Sequence, residues 1–162
     1  MNRRITFWGY FLVIIVLFLL VPQSFPDISG HDYAGLLFGY QENPFFLMMF
    51  STFDLFFDYV SLAIPQAEMF AIRPFFLTRQ PSGGRLYTSY FRFILPYFVP
   101  FILSKMVVLL ILSQPVAWLW IGSYTAVWLA WLLINLNRRI AFTNGFILLA
   151  FLVMRVIAHF WF

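Results

Sequence analysis

The chain has 162 residues, 63% of them hydrophobic and only 10% charged, with a formal net charge of +4. That balance excludes an ordinary soluble core and makes an all-α, polytopic membrane bundle the expected class, in one domain spanning residues 1–162 because membrane helices of about 20 residues leave room only for short connections. Cysteine is absent, so disulfides, thiolate metal ligands and cysteine nucleophiles are ruled out by counting.

Five apolar runs follow one another. The first, over residues 5–21, comes after Arg3 and Arg4 and is expected to stop at Pro22; Val21-Pro22-Gln23-Ser24 has no small-x-small cleavage pattern, so it reads as a retained anchor. Residues 22–44 carry Asp27, His31, Asp32 and Glu42 among Gly and Pro, with an apolar centre at Ala34 to Tyr40, and suit an outer loop lying on the interface. Gly35 and Gly39 form a small-xxx-small pair there, a packing signal where it lies inside a span. The second run covers 45–64, and a kink at Pro65 would let it continue to Ile72, since proline is tolerated in membrane helices. Residues 73–92 mix aromatic and basic side chains around Pro81, Gly83 and Gly84, which predicts an irregular cytoplasmic connection in the headgroup layer. The remaining spans are expected at 93–112, with Pro96 and Pro100 in its first half, at 117–134 and at 140–160. Trp118, Trp120 and Trp161 fall where an aromatic belt belongs.

The arginines orient these runs. Arg3 and Arg4, then Arg73, Arg79, Arg85 and Arg92, then Arg138 and Arg139 occupy alternate connections, while the connections from Pro22 to Pro44 and from Ser113 to Ala117 contain no Lys or Arg. Short basic loops stay on the cytoplasmic side, which predicts five transmembrane helices with the amino end inside and the carboxyl end outside. The basic excess then belongs to membrane retention and contact with the lipid bilayer, and nucleic acid is not an expected partner.

Four ionisable side chains lie within the runs: Asp54 and Asp58 in the second, Lys105 in the third and Arg155 in the fifth. Charges at such depth are costly and usually face a bundle interior, so they are the foremost candidate functional residues. Asp54 and Asp58 are four residues apart and share a helix face, and the depths of Asp54, Lys105 and Arg155 overlap at about 10–15 Å from the outer ends of their runs. This suggests an Asp54 pair with Lys105 or with Arg155. Snorkelling cations with neutral carboxyls, and a proton or ion pathway, are the alternatives; only Ser51, Thr52, Ser61 and Ser104 offer polar company nearby.

Enzymatic signals are lacking. The histidines are His31 and His159, too far apart for a two-histidine motif on one helix turn, and neither a nucleophile elbow nor a phosphate-binding loop occurs. No catalytic residue, metal or cofactor is expected.

The stretch from Glu68 to Tyr87 resembles the first cytoplasmic connection of small bacterial permease-like membrane proteins of the type-2 ABC exporter class. A Glu near the end of the second span, an Ile-Arg pair, a basic residue after a small hydroxylated one, and an aromatic before the third span correspond to Glu68, Ile72 with Arg73, Thr78 with Arg79, and Tyr87. Asn135 to Phe142 looks like the inner loop before a later span. The resemblance implies a non-catalytic, multi-pass subunit of the bacterial plasma membrane that works with other membrane subunits and a separate cytoplasmic ATPase. Glu68, Arg73, Arg79, Arg85 and Tyr87 would be its partner contacts, and a partner would supply the sixth span usual in that class. An accessory or assembly subunit of another membrane complex is the second expectation, and a lipid-acting membrane enzyme the third.

Overall fold

A computed structural model describes residues 3–39, 45–79, 83–112, 115–137 and 143–161. Among them the protein is all-α and has no strand. Six helices follow in order: α1 (Arg3–Ser24), α2 (Gly30–Phe38), α3 (Phe45–Arg79), α4 (Gly83–Leu112), α5 (Pro115–Asn137) and α6 (Thr143–His159). Two stretches, Arg4–Ser24 and Phe45–Ile72, are long and apolar enough to cross a membrane, and Trp118–Ile134 and Asn144–His159 are shorter apolar helices.

Side-chain pairings between helices give their directions. Tyr10 of α1 donates to the Phe53 carbonyl at 2.8 Å, and Arg4 lies 4.0 Å from Glu68, so α1 runs against α3. Tyr97 and Lys105 of α4 meet Glu68 and Asp54, which makes α4 antiparallel to α3 as well. The Trp128 and Trp131 indoles of α5 donate to Ser61 and Gln66 at 3.1 and 3.0 Å, so α5 runs with α3. The start of α1, the end of α3, the start of α4 and the end of α5 therefore gather at one end of the bundle. The last turn of α6 lies beside Gly39 at the opposite end, next to α2. The central helix is α3, which packs on all the others.

The structure departs from expectation in residues 22–44. Instead of a loop on the interface, α2 packs against α3, α4 and α6, with Tyr33 hydrogen-bonded to α1 and Phe38 to α5, and every residue from Tyr33 to Phe38 is buried. Ser29 caps it, accepting from the Asp32 amide at 3.1 Å. A six-residue apolar run is too short to cross a bilayer, but it can fill a space between longer helices. Gly39 ends the insertion at a close backbone approach: a Cβ there would sit 2.9 Å from the Gly35 carbonyl oxygen and 3.3 Å from the His159 backbone. The small-xxx-small pair thus marks a contact inside the bundle.

Prolines end fewer helices than expected. α1 continues through Pro22 to Ser24, and α3 continues through both Pro65 and Pro74 to Arg79. A proline within a helix leaves the carbonyl four residues earlier without its amide donor, and such a helix persists where another group supplies a hydrogen bond. For Pro22 that carbonyl belongs to Phe18, and the Tyr33 hydroxyl of α2 donates to it. The expected irregular connection over 73–92 is likewise mostly helical. Gly83 and Gly84 form the first turn of α4, where amides lack intrahelical partners in any case, and the break expected around Pro81 falls on residues 80–82, outside the described set.

Tyr33→Phe removes the donor from a buried carbonyl and is expected to lower unfolding stability in mild detergent by about 1–3 kcal/mol. Adding Pro22→Ala, which restores the helical amide, is expected to recover most of that loss. Equal stability of Tyr33→Phe and the parent would show that the Phe18 carbonyl does not depend on the hydroxyl.

Candidate functional site

The four ionisable residues of the apolar runs converge in the half of the bundle nearest α2. Asp54 and Asp58 project from one face of α3, one turn apart, as their spacing requires. Lys105 arrives from α4 and Arg155 from α6. Their relative exposures are 0, 0, 1 and 3%, so all four have left solvent.

Each carboxylate meets both cations. Lys105 Nζ hydrogen-bonds Asp54 Oδ2 and lies 2.8 Å from Asp58 Oδ1. Arg155 Nη2 donates to Asp54 Oδ2 at 2.6 Å and to Asp58 Oδ2 at 3.3 Å. Both pairings suggested for Asp54 are therefore present together, and the two negative charges are balanced by two positive ones.

A second layer fixes the arginine. Its Nη1 donates to the Ser51 hydroxyl at 2.8 Å, the Ser51 carbonyl at 2.9 Å and the Gly39 carbonyl at 3.3 Å. Ser51 in turn donates to the Gly39 carbonyl at 3.1 Å, so the end of α2 accepts from both α3 and α6. Lys105 Nζ lies 6.0 and 5.8 Å from the ring centroids of Phe38 and Tyr124, within cation–π range, and the Tyr124 hydroxyl donates to the Phe38 carbonyl at 3.0 Å. Asp54 Oδ1 and Arg155 Nε, both buried, have no hydrogen-bond partner among the described residues. Asp58 Oδ1 lacks hydrogen-bond alignment with any donor too, but its 2.8 Å approach to Lys105 is an ion-pair contact.

This arrangement is suited to holding helices together. Each carboxylate is committed to two cations, and the Ser51 hydroxyl is committed to Gly39 and Arg155 with no imidazole among its partners. No group of three or more His, Asp or Glu side chains that could hold a metal occurs among the described residues. Ser51 and Asp58 flank Asp54 at spacings of three and four residues, which is legible in the sequence. The contributions of Gly39, Phe38 and Tyr124 depend on the insertion of α2 and have no such signal.

The partner-contact candidates lie at the other end. Glu68 is engaged within the chain: it accepts from the Tyr97 hydroxyl at 2.7 Å and faces Arg4, whose guanidinium sits 5.3 Å from the Phe93 ring centroid. It links α1, α3 and α4. Tyr87 is exposed on α4. Arg73, Arg79 and Arg85 belong to α3 and α4, but their side chains lie outside the described set. No family model, curated protein or solved structure matches the chain.

Breaking one member of the quartet strands a buried charge. Asp54→Leu is expected to cost about 3–5 kcal/mol of unfolding stability in mild detergent. Asp54→Leu combined with Arg155→Met leaves Asp58 paired with Lys105, so its cost should fall well below the sum of the two single changes. Strict additivity would show that Asp54 and Arg155 do not depend on each other.

Proposed function

We propose that the chain is a five-span, multi-pass subunit of the bacterial plasma membrane, without catalytic activity of its own, that serves as a permease-like component of an ABC-type exporter with a separate ATPase. The observation that carries the membrane part is the inverted distribution of polarity. The quartet is buried, whereas the outward faces carry exposed large apolar side chains: Leu12 and Val16 on α1, Phe53 and Phe56 on α3, Leu95 and Val99 on α4, Leu119 and Leu133 on α5, Leu149 and Val153 on α6. Water would penalise such a surface, and hydrocarbon accepts it.

The alternating helix directions support the orientation drawn from the arginines. Arg3, Arg4, Arg73, Arg79, Arg85 and Arg92 belong to helix segments at or near one end, and Arg138 and Arg139 directly follow the end of α5. Retention of basic segments makes this the cytoplasmic end and places α2 and the end of α6 outside.

Two helices are also longer than a bilayer requires. α3, with 35 residues, extends about 52 Å and α4, with 30, about 45 Å, against a hydrocarbon thickness of about 30 Å. The excess falls at the end bearing Arg73, Arg79 and Arg85. A projecting antiparallel pair of helices suits contact with a cytoplasmic ATPase, and this supports the exporter reading alongside the resemblance around Glu68 to Tyr87. Because Glu68 is occupied within the chain, the contact surface would consist of the arginines and exposed aromatics such as Phe75 and Tyr87.

Two measurements check these parts separately. The chain lacks cysteine, so Ser82→Cys and Phe160→Cys can each be labelled without background; an impermeant thiol reagent applied outside intact cells is expected to react with the second and not the first. Purification of the tagged chain in mild detergent should recover a nucleotide-binding ATPase. Recovery of a large assembly lacking an ATPase would replace the exporter with an accessory or assembly role, and labelling of both sites from one face would overturn the five-span layout.

A further inference from the structure

A groove of about 600 Å³ opens between α4 and α5 toward the arginine-rich end. Its walls are mainly apolar, formed by Phe91, Ile94, Leu129, Leu132 and Leu133, and Tyr87, Thr88 and Arg92 lie along its arginine-rich side. No carboxylate is among its described lining residues. Tyr90, which also lines it, donates to the Leu132 carbonyl at 3.0 Å and so ties α4 to α5 there.

The height of Arg92 matters as much as its charge. It is thirteen positions before Lys105, or about 20 Å along α4 from the quartet. With the quartet in the outer half of the membrane, that distance brings Arg92 to the inner boundary between hydrocarbon and headgroups. The groove continues from it along Ile94 and the α5 leucines. A cation at headgroup depth beside an apolar channel is complementary to a molecule with an anionic head and a hydrocarbon tail. Beyond Arg92, toward Ile94 and Leu129, the groove lies within the lipid layer, where a globular protein segment does not reach, and a small soluble anion would gain nothing from its walls.

We infer that the α4–α5 groove is a binding site for an anionic phospholipid of the inner leaflet, with the phosphate at Arg92 and one acyl chain along Ile94, Leu129 and Leu133. The inference rests on the membrane reading proposed above. It adds a specific lipid site to that reading and does not depend on the exporter assignment.

The test uses the full chain reconstituted in phosphatidylcholine vesicles containing equal small fractions of either brominated phosphatidylglycerol or brominated phosphatidylcholine. Bromine quenches nearby indoles, and Trp128 and Trp131 flank Leu129 and Leu132 on α5. The anionic lipid is expected to quench with an apparent preference of about fivefold, the enrichment that one basic residue confers at a membrane surface. Arg92→Gln should abolish that preference while leaving quenching by brominated phosphatidylcholine intact. Leu133→Phe, which narrows the groove without changing charge, should weaken the preference with Arg92 in place. Equal quenching by both lipids in the parent chain, or a preference that survives Arg92→Gln, would overturn the site alone. Absence of quenching by either lipid would overturn the membrane reading and the site with it.

Discussion

Two carboxylates on one face of α3 set the condition that the rest of the bundle meets. An uncompensated charge buried away from water costs several kcal/mol, and Asp54 and Asp58 together cannot be satisfied by their own helix. Lys105 and Arg155 come from different helices, so neutralising the pair requires α4 and α6 to sit on α3 at one depth. The two cations have different roles. Lysine presents a point charge to both acids beneath aromatic rings, while the planar guanidinium also reaches Ser51 and the Gly39 carbonyl. Through that last contact the requirement of the acids extends to α2.

The remaining helices, α1 and α5, attach through several separate polar contacts. Tyr10 ties α1 to the Phe53 carbonyl, and the Trp128 and Trp131 indoles tie α5 to Ser61 and Gln66. Hydrocarbon around a bundle removes the usual apolar drive for helices to associate, and packing with interhelical hydrogen bonds replaces it. The distribution of these groups fits that regime: the quartet, Ser51, Ser61, Ser104 and Gln66 are buried, and large apolar side chains such as Leu12, Phe53, Leu119 and Val153 are exposed. Stacked and tilted rings around Phe57 and Trp128 fill the spaces between the polar contacts.

Much of this was legible from residue types and spacing, and the failures have a common origin. The i, i+4 spacing of the aspartates and the similar depths of Asp54, Lys105 and Arg155 pointed to their meeting. Spacing alone could not decide between the two cations, because both satisfy the depth condition and the acids need both. Residues 22–44 read as a loop because Asp27, His31 and Asp32 precede an apolar run too short to span, and only its packing among the other helices explains its burial. Residues 73–92 read as irregular because Pro74, Pro81 and the glycines are strong local breakers. Prolines lose that force where neighbouring groups take up freed carbonyls, as Tyr33 does for Phe18. For Pro22 and for residues 33–38, a tertiary contact outweighed a local preference.

The two ends of the bundle differ in what holds them. At the α2 end, the quartet, the Tyr124 hydroxyl and the close approach of Gly39 to α6 are buried and interlocked, so displacing one helix there exposes several unpaired polar groups at once. At the arginine end, Arg4 and Glu68 are 4.0 Å apart, with side chains 45% and 22% exposed. An ion pair that open to its surroundings contributes little. The groove between α4 and α5 lies toward that same end, with Tyr90 as the hydroxyl that bridges the two helices beside it. Relative movement of the helices therefore breaks several buried polar contacts at once around the quartet. The charge cluster thus acts as a fixed point of the fold, with both acids and both cations buried at the place where α3, α4 and α6 meet.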